Sequence, residues 1–560
     1  NYKSYWPKIL MKYFVSDKKV LPNKYGKWYW YADSECKTFQ NDKHLVIYGG
    51  YVISEETIDD IVIRDPYELE VANGTYWAVI LTKNTARAFV DYFHQTKVFY
   101  RNKDCIEFTN AIYLFPFTKD DLDMQDLMKK LSSLPKEKLE YEPSEKFERW
   151  EDMIIHPDDA NALIDAELKS KDIKKYYDAG KFYKETPDIK TYAKRMCTTM
   201  FKDTWMLEPD FALDIRGNEI KIKRIQCTYD DIMNAFTSDS EFKTNESLED
   251  YIHDCMLDHA NIIKKNYKNI VSSVSEGVDS VMQDAYFPEA KKIMYSYVPT
   301  NAPFKYKQKI ADKIKAQGGE IRVDHIDISS KNIAKITKEH VNDPTTFYWD
   351  CVPTFWQTQQ LDPKPDILLY GQCGDQVFLH KAFFYYEYMF AQQIEKDLTT
   401  DQKLEEFNKT LKDLDDCYSG RDNIWQGNKA KSWEDCFYNT TKEELIHELE
   451  TGTKNDWMSD FAKKTTPAPY NREISHNGDM LVASLFCDKR IFYKVMNAPV
   501  DIILENIKNI VTQKNILKRK FNFDYETPYK DQAEINAVGM RNPLYTDVVR
   551  KCLQDHLPKA

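Results

Sequence analysis

Between residues 248 and 381, short apolar runs alternate with helical periods, and two of the runs end in loops that combine glycine with an acid. Leu248, Ile252, Met256, Ala260 and Ile263 fall on a helical period across Leu248–Tyr267. Asn269–Val274 is a short apolar run that leads into Ser275-Glu276-Gly277-Val278-Asp279-Ser280, and Val281–Tyr286 reads as helix again. A strand is expected at Ile293–Val298, a helix at Tyr306–Gln317 stopped by Gly318-Gly319, and a strand at Glu320–Ile328. A last strand, Asp366–Tyr370, enters Gly371-Gln372-Cys373-Gly374-Asp375-Gln376 and an aromatic-rich helix over Val377–Ile394. Helix, glycine and strand in that order specify a mostly parallel sheet, so the fold class is α/β.

The flanking segments have a different grain. Trp28–Tyr31, His44–Tyr51, Thr75–Leu81, Lys97–Tyr100 and Ala111–Phe115 are aromatic or β-branched runs separated by Asn, Gly and Asp, as in a small sheet-rich unit. Residues 117–150 turn charged and proline-broken, the composition of a crossover or linker. The expected organisation is therefore a first domain over 1–150, a linker or accessory region over 151–245 that includes a strand at Ile220–Ile225, and a main domain over 246–560. The charge-rich stretch 398–415 reads as a solvated helix, and the last hundred residues as one more amphipathic helix and a basic turn.

Composition removes several classes. A formal charge of −12 over 560 residues gives no general affinity for phosphate backbones, so a nucleic-acid partner is unsupported rather than excluded. The 11 cysteines stand singly with no CxxC pair, which argues against a structural zinc or iron–sulfur site and for a reduced, cytoplasmic setting. No run approaches the length of an apolar membrane span.

Ligands of open α/β sheets bind at the carboxyl ends of the strands, where both acidic loops lie. In the first, Ser275, Gly277 and Ser280 suit a tight turn before a helix whose N-terminal N–H groups face an anion. Asp279 would repel phosphate directly, but fits if a magnesium ion lies between them. Asp375 holds the same position in the second loop. Each loop alone would more often be a simple helix cap, and their order along the chain is what favours a shared site.

Taken together, these residues resemble the asparagine synthetase family. Ser275–Ser280 is similar to its SGGxDS pyrophosphate loop, and Gly371–Phe378 to its GEGxDE-Leu-Phe segment. Lys518-Arg519-Lys520-Phe521-Asn522-Phe523 resembles its Arg-x-Lys-x-x-Phe segment, and Phe486-Cys487-Asp488 a Pro-Phe-Leu-Asp segment. Leu45–Gly50, Asn73–Tyr76, Arg87–Phe93 and Lys97–Tyr100 resemble a class II glutamine amidotransferase domain. The resemblance implies an N-terminal αββα sandwich of Ntn-hydrolase type, followed by a parallel-sheet adenine nucleotide alpha-hydrolase-like (PP-loop) domain. It also implies roles. Asp279 and Asp375 would hold Mg2+; Ser275, Gly277 and Ser280 the β,γ-pyrophosphate of ATP; Gly371 and Val298 the adenine pocket. Lys520 and Gln372 would act at the acyl-transfer step, Lys520 as a cationic clamp. Residues from about 340–375 and 480–525, Asp350 and Asp488 among them, would shape the substrate pocket.

Three departures matter. The family's glutaminase uses an N-terminal Cys as nucleophile and base, whereas residue 1 is Asn and the nearest cysteine is Cys36, so glutaminase activity is expected to be absent, as in β-lactam synthetase. Glu276 replaces a glycine in the phosphate loop, where a carboxylate repels phosphate unless it turns outward or meets a metal or cation. Gln372 and Gln376 replace glutamates, and an amide cannot take up a proton near neutral pH. The leading expectation is an ATP- and Mg2+-dependent amide ligase. It would activate a small-molecule carboxylate as an acyl-adenylate, release pyrophosphate and take an amine or free ammonia as nucleophile. Homodimerisation stays open. Two alternatives stand beside it: a catalytically inactive homologue with a scaffold or regulatory role, and a PP-loop enzyme that modifies a nucleobase.

Overall fold

The computed structural model describes residues 12–111, 114–115, 201–207, 211–225, 228–298, 304–327, 354, 356–358, 360–374, 377–378, 397–417, 442 and 480–526. Within them the chain is α/β, with antiparallel sheets first and a parallel sheet afterwards.

The antiparallel part begins with β1 (Tyr13–Ser16), β2 (Asn23–Tyr25), β3 (Trp28–Ala32), β4 (Lys37–Gln40) and β5 (Leu45–Val52). Helix α1 (Ile58–Arg64) and a 3-10 turn (Pro66–Val71) precede β6 (Gly74–Leu81), β7 (Thr85–Val90), β8 (Phe99–Asn102) and β9 (Ile106–Thr109). Three later strands, β10 (Thr204–Met206), β11 (Phe211–Arg216) and β12 (Glu219–Arg224), complete two sheets ordered β10-β8-β9-β1-β3-β2 and β12-β11-β7-β6-β5-β4.

The sheets close on one another because β5 and β6 are apolar on both faces. Leu45, Ile47, Trp77, Val79 and Leu81 meet Tyr13, Trp28 and Phe108 across the sandwich. The alternate residues Val46, Tyr48, Tyr76 and Ile80 pack on the other side under Ile58, Ile61 and Val62 of α1. Period-two alternation with both faces covered thus accounts for near-continuous hydrophobic runs in antiparallel strands. Gly50, at φ +100, lies where an added Cβ would fall 2.1 Å from the Thr75 carbonyl, so β5 and β6 can pair there only through glycine.

Two expectations change here. Residues 204–224 belong to the N-terminal sheets: β10 pairs with β8 and β11 with β7, so the sheet unit does not end at residue 150. Such pairings bridge more than a hundred residues of sequence, and no local pattern encodes them. Ala111 and residues 114–115 form a turn, with Leu114 N–H donating to the Ala111 carbonyl, rather than a strand.

The second half opens with α2 (Thr228–Thr237) and α3 (Asn245–Asn266), the latter capped by the Thr244 hydroxyl, which accepts from Ser247 N–H. The chain then runs β13 (Ile270–Ser273), α4 (Val278–Ala285), β14 (Lys291–Val298), α5 (Phe304–Ala316), β15 (Ile321–Asp327) and β16 (Ile367–Tyr370). After α6 (Thr400–Cys417) come β17 (Leu481–Ala483), α7 (Lys489–Asn497), α8 (Val500–Asn509) and α9 (Val511–Phe521). The sheet order is β15-β14-β13-β16-β17, and every pair is parallel. The chain winds outward from β13 through β14 to β15, then returns to the other side of β13 as β16. The carboxyl ends of β13 and β16 therefore flank a topological switch point. The basic run at 518–520, expected as a turn, is the last turn of α9, where cations oppose the negative end of the helix dipole.

The halves share a core. Tyr51, Ile53, Tyr92 and Phe93 lie in one apolar cluster with Ile252, Met256, Ile263, Phe492 and Val495. Polar contacts lock the seam: Tyr51 Oη lies 2.7 Å from His259 Nε2, and Tyr493 Oη donates to Tyr92 Oη at 2.7 Å. Asn73 donates to Asp488 Oδ1 at 2.8 Å and accepts from Lys489 N–H at 3.0 Å. Among the described residues no helix is long and apolar enough to cross a membrane.

Candidate functional site

Parallel pairing aligns Ser273 at the end of β13 with Tyr370 at the end of β16, so the loops that follow emerge side by side. The first loop is built by its own serines. Ser280 Oγ accepts from Ser275 N–H at 2.9 Å, lies 2.9 Å from Ser275 Oγ and donates to the Gly277 carbonyl at 2.9 Å. Ser275 Oγ also accepts from Gly277 N–H at 3.1 Å. Two hydroxyls five residues apart thereby fold 275–280 into a closed turn that starts α4 with Gly277 as its N-cap.

The second loop fits against the first through glycines. A Cβ on Gly371 would lie 2.6 Å from Ser280 Cα, and one on Gly374 would lie 2.3 Å from Asp279 Cγ. Glycine is thus required at 371, where the clash is with backbone, while at 374 it leaves room for the Asp279 carboxylate in its present position. The Asp279 carboxylate rests against the backbone just before Asp375, which itself lies outside the described residues, as do Gln376 and Asp350. Ser484 Oγ, beyond β17, donates to the Gln372 carbonyl, and Gln372 Oε1 is buried without a hydrogen-bond partner. Val298 stands at the carboxyl end of β14, opposite Asp327 of β15 and on the same sheet edge.

Glu276 meets a cation. Its Oε2 lies 3.5 Å from Lys307 Nζ of α5, with both side chains largely buried, and Lys307 also donates to the Tyr295 carbonyl at 2.8 Å. The Tyr525 hydroxyl donates to the Glu276 carbonyl at 2.5 Å. A carboxylate in this loop is therefore offset by a positive charge from the neighbouring crossover helix. Gln513 of α9 closes the far side, its Nε2 3.4 Å from Asp279 Oδ1.

The structure brings Ser275, Gly277, Asp279, Ser280, Gly371 and Gln372 together, but it does not bring Lys520 to them. Along α9, Gln513 reaches Asp279 at the start of α4, while Phe521 packs on Tyr286 at the end of α4. Lys520 consequently sits about two turns away, with Nζ 3.0 Å from Asp250 Oδ1 of α3. Its neighbour Arg519 pairs with Glu249 and Asp250 of the same helix. Asp488 is likewise committed: it caps α7 by accepting from Arg490 N–H, and it holds Asn73.

Lys307, Gln513 and Tyr525 escaped sequence reasoning. Lys307 is one of several lysines in the α5 segment FKYKQKIADKIKA and carries no local distinction. Gln513 had a weak signal, since it is a polar residue on the face of α9 that buries Ile516 and Leu517.

No family model matches the chain, and no curated protein matches it. Among solved structures it is similar to one described as the allosteric regulatory enzyme of purine biosynthesis. The identity is 8%, with 58% of this chain and 76% of that chain covered and a TM-score of 0.18. A superposition that loose carries no argument about fold or function.

Proposed function

We propose that the crevice between 275–280 and 371–374 binds ATP with Mg2+, and that the chain is an AMP-forming amide ligase without its own glutaminase. The observation that carries this reading is the meeting of the two loops at the switch point, with Asp279 lodged against Gly374. Oxygen donors suit the implied cation: Asp279 supplies a carboxylate, and Asp375 follows Gly374 directly in sequence. Ser275, Gly277 and Ser280 would hold the pyrophosphate at the start of α4. ATP would supply the adenylyl group that activates a carboxylate for attack by an amine or ammonia. Gln372 orients substrate through its amide in this reading, because it cannot exchange a proton. Lys520 is assigned no step. The finer fold assignment, an Ntn-hydrolase-like sandwich ahead of a PP-loop domain, belongs to the same proposal.

The experiment is pyrophosphate release from ATP and Mg2+ across a panel of small carboxylates with ammonia and primary amines. Turnover that disappears in Asp279→Asn is expected. No nucleotide binding by calorimetry to the folded protein sinks the reading. A second reading, an inactive homologue with a scaffold role, draws on Gln372, which stands where the resembled family has a glutamate and whose amide cannot take up a proton. Full nucleotide binding with no pyrophosphate release on any substrate pair would favour it.

A further inference from the structure

Of the two polar residues that α9 buries, Thr512 has its hydroxyl paired with Asn245 Oδ1, whereas Gln513 has an oxygen that is not paired. α9 starts from Ile510 in the left-handed region, and Asn506 Oδ1 accepts from Thr512 N–H at 2.8 Å, which fixes the start of the helix. The helix then packs on α3 and α4. Gln513 is only 4% exposed, yet its Oε1 has no hydrogen-bond partner. Its Nε2 points at Asp279 Oδ1, 3.4 Å away. The amide orientation follows from that contact, because reversing it would set a carbonyl oxygen against a carboxylate. A buried carbonyl oxygen left unpaired is costly, and native proteins rarely keep one without a use.

We propose that Gln513 is a cation-site residue: its Oε1 receives the divalent cation held by Asp279, or one of that cation's waters. Hard divalent cations take carboxylate and carboxamide oxygens together. The amide would hold the carboxylate with its N–H while presenting its oxygen beside it. The inference rests on reading the Asp279 crevice as a cation–polyphosphate site, and it adds a donor from an element that neither loop contains. It also gives α9 a role in the site independent of Lys520.

Mn2+ serves as the probe, titrated into the full chain with and without ATP and followed by electron paramagnetic resonance. Gln513→Met keeps the volume and removes both polar atoms, so Mn2+ affinity should fall about tenfold, the range for removing a residue that supports a metal site. Gln513→Glu keeps an oxygen donor but loses the N–H, and its affinity should match or exceed that of the wild type. If Gln513 acts only by orienting Asp279, Gln513→Glu will bind more weakly than Gln513→Met, which overturns the proposal. Unchanged Mn2+ affinity in Gln513→Met overturns it as well. Thermal unfolding midpoints of both variants show whether a loss reflects the site or the fold. The two readings separate in the wild type. Mn2+ bound with no added effect of ATP leaves Gln513 standing and removes the nucleotide reading, whereas no Mn2+ bound in either condition removes both.

Discussion

Lys307→Met tests how the Ser275–Ser280 loop tolerates a carboxylate. Lys307 Nζ and Glu276 Oε2 are 3.5 Å apart, with side-chain exposures of 7% and 14%. Two unit charges at that separation attract by about 5 kcal/mol at an effective dielectric constant near 20. Desolvation of both groups offsets most of this, so the pair contributes little net stability, yet removing one partner alone is destabilising. Lys307→Met should cost about 3 kcal/mol, because the largely buried Glu276 carboxylate loses its ion pair with Lys307. Glu276→Gln should cost about 1 kcal/mol, since Lys307 keeps the Tyr295 carbonyl at 2.8 Å. The double variant should then be less destabilised than the sum of the two by about 1–2 kcal/mol. A chain of 560 residues need not unfold in one step, so the readout is amide hydrogen exchange across Ser273–Ala285. Additivity within about 0.5 kcal/mol would show that the two side chains do not act as a pair, and the account of Glu276 would fall with it.

The loop glycines should separate stability from binding. Gly371→Ala places a Cβ 2.6 Å from Ser280 Cα, which is backbone and cannot yield, so a loss of about 1–3 kcal/mol is expected by amide hydrogen exchange across the two loops. Gly374→Ala meets the Asp279 carboxylate, which can swing aside; stability should change little while Mn2+ or Mg-ATP binding is lost, and retained binding would contradict the packing described. For His259, burial lowers the pKa from 6.5 to about 4, so the folded state holds it neutral while the unfolded chain takes up its proton below 6.5. Its contribution is complete above pH 6.5 and is lost as pH falls toward 4, to the extent of about 3 kcal/mol. Asp91 and Asp284, pushed up to about 6 by burial, act with the opposite sign over the same range. The measurement is therefore the difference between wild type and His259→Gln: between pH 6.5 and 4 the variant should lose less stability, and parallel curves would refute the assignment.

Four of the five strands of the parallel sheet were legible because their signals are local, whereas β17, three residues long and paired with β16 across more than a hundred residues, was missed. Gly318-Gly319 marks the end of α5, the run Asn269–Val274 is too short for a helix, and the two glycine–acid loops follow apolar strands. Boundaries shifted by two or three residues, as with α4 starting at Val278 instead of Val281, because Gly277 caps the helix earlier than its apolar period begins. In the N-terminal half β5 and β6 stood out as apolar runs, while β1 and β9 did not. Their four-residue lengths carry too little pattern, and they are defined by pairing with each other across about 90 residues. At the candidate site, Ser275–Ser280 and Gly371–Gly374 could be placed side by side from sequence because each follows an apolar strand. Lys307, Gln513 and Tyr525 could not, since each reaches the loop through tertiary packing of a different element. Lys520 shows the converse: a segment that looks right in sequence ends in an ion pair with Asp250.

Asn73 has a bearing on how the two halves depend on one another. Its carboxamide and the rings of Tyr51, Tyr92 and Phe93 are structural parts of the second half, gripped by Asp488, Lys489 and the cluster around Phe492. A first half joined in this way cannot be removed without cost, because excising it would bare an apolar seam and take one partner from Asp488 at the start of α7. The second half thus depends on the first for its folded surface, and a truncated chain beginning near residue 228 would expose Ile252, Met256, Phe492 and Val495 to water.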